Sequence, residues 1–322
     1  MGQELKDYAF LPIRHPSLIA YYDKQMNMSW KPSEVPFSNK DRVDWDSLSE
    51  GERKVLTFVL AFFAQFDGIV AENIEENFTQ AFGSIKEVVY VYSQFNAMEV
   101  IHNQTYSLLI FTFISDEAER NKALRAIQNY PQVGAIMKWL QKTTKDCSNL
   151  ERLIAFACLE GIVFSSAFAV IYYFKRKSKL VSLTTANEWI ARDEALHTEF
   201  AVALYKFLTS TKRNEPVSKE KVHQIISSCI DEACEPFIRE ALSLDLIGLS
   251  ADDMMTYVKC TANSLSTSLG FEKIYDCSNP FDWMLVISLD TMTNFFENRV
   301  TAYGTSNQSS STLNTLSTVE DF

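Results

Sequence analysis

The sequence predicts an all-α protein whose chemistry lies inside a helical bundle, and three observations carry that prediction. Glycine and proline are scarce, 9 and 8 in 322 residues, which disfavours the many tight turns of a β fold. Apolar residues make up 47% of the chain, enough for one large core, and no run shows the strict alternation of a strand. Single acidic residues interrupt the most apolar stretches, as they do where helices gather polar groups around a buried centre.

Taken in order, residues 1–45 carry Pro12, Pro16, Pro32 and Pro36, which break any long helix, so this segment reads as an arm wrapping a body. At Ser49 the pattern turns helical. Ser49-Glu-Gly-Glu52 is a capping box, with Ser49 as N-cap and Glu52 at the third helical position, and the apolar run VLTFVLAFFAQFDGIV follows. Further helices are expected at about 85–114, 117–128, 132–144, 149–175, 184–209, 217–243 and 251–269. The basic run Lys175 to Lys179 sits at a helix C-terminus, where it complements the helix dipole. The body is expected to span 46–303. Residues 304–322 hold nine Ser or Thr and no Lys or Arg, too polar to fold alone. They end in Val319, Glu320, Asp321 and Phe322, an apolar and acidic tip that suits a docking peptide on a flexible tail.

Composition excludes several classes of function. A net charge of −11 argues against nucleic acid as a partner, because phosphate binding needs a basic face. The six cysteines form no CxxC pair, and the start MGQELKDYAF lacks the form of a signal peptide. A reducing, cytoplasmic setting with the cysteines as core residues is the expectation. Lys6 stands where a myristoylation pattern needs Ser or Thr. Leu153 to Phe174 is apolar and long enough to span a bilayer, but Glu160 at its middle is costly in lipid. A helix at the centre of a bundle, with no membrane, explains the same composition.

The chemistry centres on histidine. Two of the four histidines lie in Glu-x-x-His pairs, Glu99-Val-Ile-His102 and Glu194-Ala-Leu-His197. Positions i and i+3 share a helix face, so each pair can offer a carboxylate and an imidazole to one metal. Asp67 lies 32 residues before Glu99, and Glu160 lies 34 before Glu194, each inside a strongly apolar helix. A buried acid needs a partner, and a cation is the natural one. The chain therefore reads as two copies of one device: a helix with a single buried acid, followed one hairpin later by a helix with Glu-x-x-His. Four carboxylates and two histidines facing inward from four helices form the ligand set of a ferritin-like helical bundle with a di-metal site in its core. Such oxygen-rich donors suit iron or manganese.

Tyr106 falls four residues after His102 on the same face, about 6 Å further along the helix axis. Phe164 and Phe168 follow Glu160 at i+4 and i+8, and Ile190 precedes Glu194 at i−4. If the Glu160 helix runs parallel to the Tyr106 helix and the Glu194 helix antiparallel, all four side chains meet at one level. That gives a phenol beside the metals in an apolar sleeve; ordinary core packing explains the same spacing.

These motifs carry a family resemblance. The segments VLAFFAQFDGIVAENI, AMEVIHNQTYSLLI, ERLIAFACLEGIVFSSAFA, NEWIARDEALHTEFA, NPFDWM and NFFENRV resemble the small subunit of class I ribonucleotide reductase, in its eukaryotic and large-DNA-virus forms, from about Trp30 to the C-terminus. The resemblance implies two iron ions, one on Asp67, Glu99 and His102 and one on Glu160, Glu194 and His197, with manganese the alternative. It implies a stable radical on Tyr106, formed with O₂ and an electron donor, in a pocket of Phe164, Phe168 and Ile190. Asp193 would hydrogen-bond His102, Trp30 would continue that path towards the surface, and Tyr303 would relay the radical to the large subunit. The terminal residues up to Phe322 would dock there, and a homodimer is implied.

The chain departs from the family in four places. KLVSLTT stands where a Pro-Gly is usual, one residue is added between Asp67 and Glu99, Phe111 replaces a position often acidic, and the tail ends VEDF. These bear on partner matching and leave the ligand positions untouched. Two rivals remain on the residues alone. Di-iron hydroxylases, desaturases and ferritins share the ligand geometry. A helical interaction protein whose buried acids pair with Arg or Lys would hold no metal.

Overall fold

The computed structural model describes residues 9–243 and 249–281. Helices dominate, and no strand occurs among the described residues. The long ones follow the apolar periodicity closely: α1 (Pro16–Met28), α2 (Asn39–Asp46), α3 (Glu50–Asn73), α4 (Lys86–Phe113), α5 (Pro131–Thr144), α6 (Asn149–Arg176), α7 (Val181–Ser210), α8 (Lys219–Ser228, continuing to Ala241) and α9 (Ala251–Leu269). Short helices at Glu117–Ala123 and Ala126–Asn129 divide the stretch expected as one.

The capping box forms as read. Ser49 Oγ accepts from the Glu52 backbone N–H at 3.2 Å, and Glu52 Oε2 accepts from the Ser49 N–H at 2.8 Å. α3 packs along α4, α6 along α7, and α4 contacts α7, so the four helices enclose one core. α1 lies against α4 and α7 and closes one side, while α8 and α9 pack on α6.

Three features differ from the sequence reading. The N-terminal segment is partly helical, because Pro16 and Pro32 sit at helix starts, where a missing N–H costs nothing, and initiate helices there. α6 and α8 are not uniform α-helices: Leu159–Val163 and Cys229–Cys234 form π-turns, and a third at Ile74–Phe78 extends α3. Periodicity cannot show a π-turn, since one extra residue per turn leaves an apolar stretch still apolar. The cysteines divide: Cys158, Cys229 and Cys234 are buried as expected, whereas Cys147, Cys260 and Cys277 are half-buried.

The apolar window of Asn149–Arg176 is 100% buried inside the protein, so neighbouring helices rather than lipid cover it.

α7 begins on Leu180 with φ +57°, the left-handed region that leucine rarely adopts, in the segment that lacks Pro-Gly. Its N–H donates to Asp44 Oδ2 at 3.0 Å and the Ser182 N–H to Asp41 Oδ1 at 3.1 Å, so α2 holds this turn in place.

Candidate metal centre

Each of the four core helices delivers its acid to the same buried place. Asp67 on α3, Glu99 and His102 on α4, Glu160 on the π-turn of α6, and Glu194 and His197 on α7 are all buried. His197 Nδ1 lies 2.9 Å from Glu99 Oε1, 3.6 Å from Glu194 Oε2 and 3.9 Å from Glu160 Oε2. His102 Nδ1 lies 3.0 Å from Glu194 Oε1 and 3.8 Å from Glu99 Oε2. Donor atoms of Glu99, Glu194 and His197 all fall within 4.8 Å of one another, a spacing one metal ion can bridge. The two Glu-x-x-His pairs, 95 positions apart, thus interleave across the bundle.

The donor atoms fit a metal because nothing else satisfies them. Both oxygens of Asp67, Glu99 and Glu194, Nδ1 of His102 and both ring nitrogens of His197 are buried without a hydrogen bond. The imidazoles and carboxylates therefore converge as one set of candidate donors. Orphaned polar atoms in such number are costly in a dry interior, and coordination of a cation removes the cost. No Arg or Lys enters the cluster among the described residues, which disfavours the ion-paired interaction protein.

Electrostatics agree. Burial first, then Glu99, holds the Asp67 carboxyl well above the usual range, and burial with Glu194 does the same for Glu160. Burial also acts on Glu194, but His102 and His197 beside it outweigh that and hold it at about 2. Burial opposes the charged form of both histidines. The neighbouring carboxylates prevail, raising His102 well above its ordinary value and His197 to about 10. The metal-free cluster therefore stores protons that a dication would displace.

A hydrogen-bonded chain leads away from His102. Trp30 Nε1–H donates to Asp193 Oδ2 at 2.8 Å, and His102 Nε2 lies 3.1 Å from the same oxygen. With Nε2 as the donor, Nδ1 keeps its lone pair for a metal. The Trp30 ring stacks on His102 at 5.9 Å, and Trp189 packs on Trp30 at 5.3 Å. Arg192 Nη2 donates to Met28 O at 2.8 Å and lies 3.4 Å from Asp193 Oδ1, which ties Asp193 to the end of α1.

Tyr106 is fully buried, and its hydroxyl has no hydrogen-bond partner. Burial first, then Asp67, raises its pKa well above the usual phenol value. Phe164, Phe168 and Ile190 are buried as expected. The residue that sequence reasoning missed is Phe63, whose ring lies parallel to Tyr106 at 4.5 Å with 4° between the planes. Phe63 also touches Phe168 at 4.8 Å and Phe164 at 5.3 Å, so it joins the sleeve to the phenol. Its signal was available: Phe63 precedes Asp67 by one helical turn, the mirror of Tyr106 following His102. Phe95, stacked on His197 at 4.0 Å, was also missed. Tyr303 and Phe322 lie outside the described residues.

The comparisons with known proteins agree with this geometry. A sequence profile for the ribonucleotide reductase small chain matches residues 7–280. The chain is 41% identical over 297 residues to the ribonucleoside-diphosphate reductase small chain of vaccinia virus (strain Ankara), covering 92% of this chain and 91% of that one. It is 38% identical over 332 aligned positions to the small subunit of Dictyostelium discoideum, covering 99% and 96%. Among solved structures, the ribonucleotide reductase Rnr4 homodimer of Saccharomyces cerevisiae superposes with a TM-score of 0.77 at 23% identity, over 94% of this chain and 91% of that one. The dimanganese(II) NrdF of Streptococcus sanguinis superposes with a TM-score of 0.73 at 19% identity, over 88% and 99%. The ferritin-like helical fold is shared with these structures. Similarity of this extent, together with the fold, places the chain: it belongs to the ribonucleotide reductase small-chain family, whose members are small subunits of an oxidoreductase.

Proposed function

We propose that this chain holds two iron ions on Asp67, Glu99, His102, Glu160, Glu194 and His197, carries a stable radical on Tyr106, and delivers it to a large subunit that reduces ribonucleotides. The observation that supports this reading is the set of buried, unpartnered donor atoms of Asp67, Glu99, His102, Glu194 and His197, which converge from three helices beside an equally unpartnered phenol. A bound pair of redox-active ions supplies the oxidant that a phenol requires. The protein supplies the rest. The Phe63 ring and the sleeve of Phe164, Phe168 and Ile190 keep water and reductants from Tyr106. On oxidation the phenol O–H must release its proton, and Asp67, the carboxylate that acts on it most, is the acceptor we assign. Asp193 holds the His102 proton on Nε2 and accepts the Trp30 indole N–H on the same oxygen, a continuous path from the metal ligand to a residue near the surface. Tyr303 continues that relay, and the residues up to Phe322 dock on the large subunit.

Assembly with O₂ and an electron donor takes place in the cytoplasm. A homodimer is the assembly we infer, as in the yeast structure. It is supported by one face of α4 on which Val100, Leu108 and Phe111 are exposed, Phe111 being the position that departs from the family. A di-manganese occupant is the second reading, favoured by the dimanganese(II) relative and by the same oxygen-rich donors.

Fe(II) and O₂ added to metal-free protein, followed by metal analysis and low-temperature EPR, test the centre. Two irons per chain are expected, with a tyrosyl signal that Tyr106→Phe removes while keeping the irons; the same signal in that variant sinks the assignment. Deleting Leu316 to Phe322 is expected to leave the cofactor intact and abolish reductase activity with the large subunit, and unchanged activity would remove the docking role.

A further inference from the structure

Two half-buried cysteines, Cys260 and Cys277, lie on α9 and on the segment that follows it. α9 ends on Gly270 at φ +98°, and residues 271–281 then turn back along it as an irregular strap. Asn263 of α9 clamps that strap. Its Oδ1 accepts from the Ile274 and Tyr275 N–H groups at 2.8 and 2.9 Å, and its Nδ2 donates to Tyr275 O at 2.7 Å and to Cys277 Sγ at 3.4 Å. Ser266 Oγ adds a bond to Glu272 O at 2.6 Å. Cys260 lies one turn before Asn263 on the same helix face. The Cys277 sulfur, held on Asn263, is therefore presented towards Cys260. Both are partly exposed, unlike the buried group Cys158, Cys229 and Cys234.

We propose that Cys260 and Cys277 form a reversible disulfide that fastens the 271–281 strap to α9, closed by exchange with a low-molecular-weight disulfide such as glutathione disulfide. The Cys277 thiolate attacks one sulfur of glutathione disulfide, giving a mixed disulfide and releasing one glutathione thiolate. Cys260 then loses its proton to solvent and attacks the Cys277 sulfur, forming the Cys260–Cys277 bond and releasing the second glutathione. Two protein thiols are oxidised and one disulfide is reduced to two thiols.

The order follows from the surroundings. Burial first, then the neighbouring Cys277 thiol, holds the Cys260 thiol up at about 12, so it is a poor first nucleophile. Once the Cys277 sulfur is in a mixed disulfide, its influence on Cys260 is removed and only burial still opposes ionisation, which eases the second step. The strap leads directly into the segment that carries Tyr303, so closure pins the root of that segment to the bundle.

Full-length protein is incubated with glutathione disulfide, its free thiols are alkylated, and it is digested with trypsin for mass spectrometry. The expected product joins the peptide 260–273 to the peptide beginning at Ile274, lighter than their sum by two hydrogens, and dithiothreitol reverses it. Cys147, half-buried and bonded to Thr144 O at 3.2 Å, is the internal control. In Cys260→Ser, Cys277 is expected to accumulate as the glutathione mixed disulfide, since nothing resolves it. Limited tryptic cleavage after the exposed Lys273 is expected to slow in the oxidised wild type. Cys260 and Cys277 still alkylated at a glutathione disulfide level that modifies Cys147 would overturn the proposal. Linkage of either cysteine to a different one, or a Cys260→Ser protein without the mixed disulfide, would also overturn it.

Discussion

The two halves of the proposed metal centre share one residue pattern and are held in different ways. In the Asp67–Glu99–His102 half, His102 is anchored through Nε2 to Asp193, which is fixed in turn by Trp30 and Arg192. In the Glu160–Glu194–His197 half, neither ring nitrogen of His197 has a hydrogen bond, and the ring is held by stacking on Phe95. Glu160 rides on a π-turn and is 8% exposed, whereas Asp67, Glu99 and His102 are completely buried. Small cavities reach Glu160 from two sides, one lined by Tyr92, Phe95 and His197 and the other by Gly161, Phe168 and Thr198. The difference teaches that a repeated motif does not give equivalent sites. Hydrogen bonds set a ring's position and tautomer together, whereas stacking sets only its plane. One half is rigid and coupled to the surface through Trp30, and the other has room to rearrange beside solvent.

The broadest way to sharpen this comparison is pH. In metal-free protein Asp67, Glu160, His102 and His197 all titrate above their ordinary values, so each must lose a proton to become a ligand. Metal affinity is therefore expected to rise with pH, about tenfold per pH unit for each proton displaced, until His197 ionises near 10. Glu194, held at about 2, contributes no proton. Calorimetry in buffers of different ionisation enthalpy counts the protons released, and a pH-independent affinity between pH 6 and pH 8 (roughly the range over which an ordinary histidine loses its charge) would contradict the electrostatic account.

Asp193→Asn strikes the anchored half alone. It replaces the carboxylate that fixes His102 by a neutral amide with a single, weaker acceptor oxygen, and metal affinity or activity is expected to fall about 10–100-fold. Phe95→Leu, which loosens only the stacked half, is expected to cost far less. Equal losses in the two variants, by metal titration, would erase the distinction between the halves.

Gly161→Ala probes the π-turn that carries Glu160. An added Cβ would stand 2.9 Å from Thr198 Cγ2, closer than real contacts allow. Overpacking of this kind is expected to cost about 1–3 kcal/mol, read as a lower denaturation midpoint, with weakened loading at the Glu160 half. Thr198→Ser in the same chain removes the offending methyl while keeping the hydroxyl that donates to Glu194 O, and it is expected to restore most of the loss. No rescue would mean that the glycine acts through backbone freedom rather than space.

Much of this was legible in the sequence because it is written in local periodicity. The capping box at Ser49, the long helices and the placement of Glu and His on one face follow from 3.6 residues per turn and need no knowledge of neighbours. The inward aim of Asp67 and Glu160 followed from the cost of a buried acid in an apolar helix. Burial of Tyr106 within aromatic rings was foreseen, but its parallel partner Phe63 was not, because contact between α3 and α4 depends on how two helices rotate against each other.

By itself, the sequence determined the helical class, the placing of each Glu-x-x-His pair on one helix face and the phenol one turn beyond His102, since each is a matter of spacing along a single helix. The tertiary structure alone decided the rest. The π-turn at Leu159–Val163 arises where Gly161 lets α6 approach Thr198 of α7. The sharing of one Asp193 oxygen between Trp30 and His102 joins residues 163 and 91 positions apart. The Cys277 thiol meets α9 only because the strap folds back onto Asn263. Such contacts are set by the close packing of whole elements, and periodicity within one element carries no record of them.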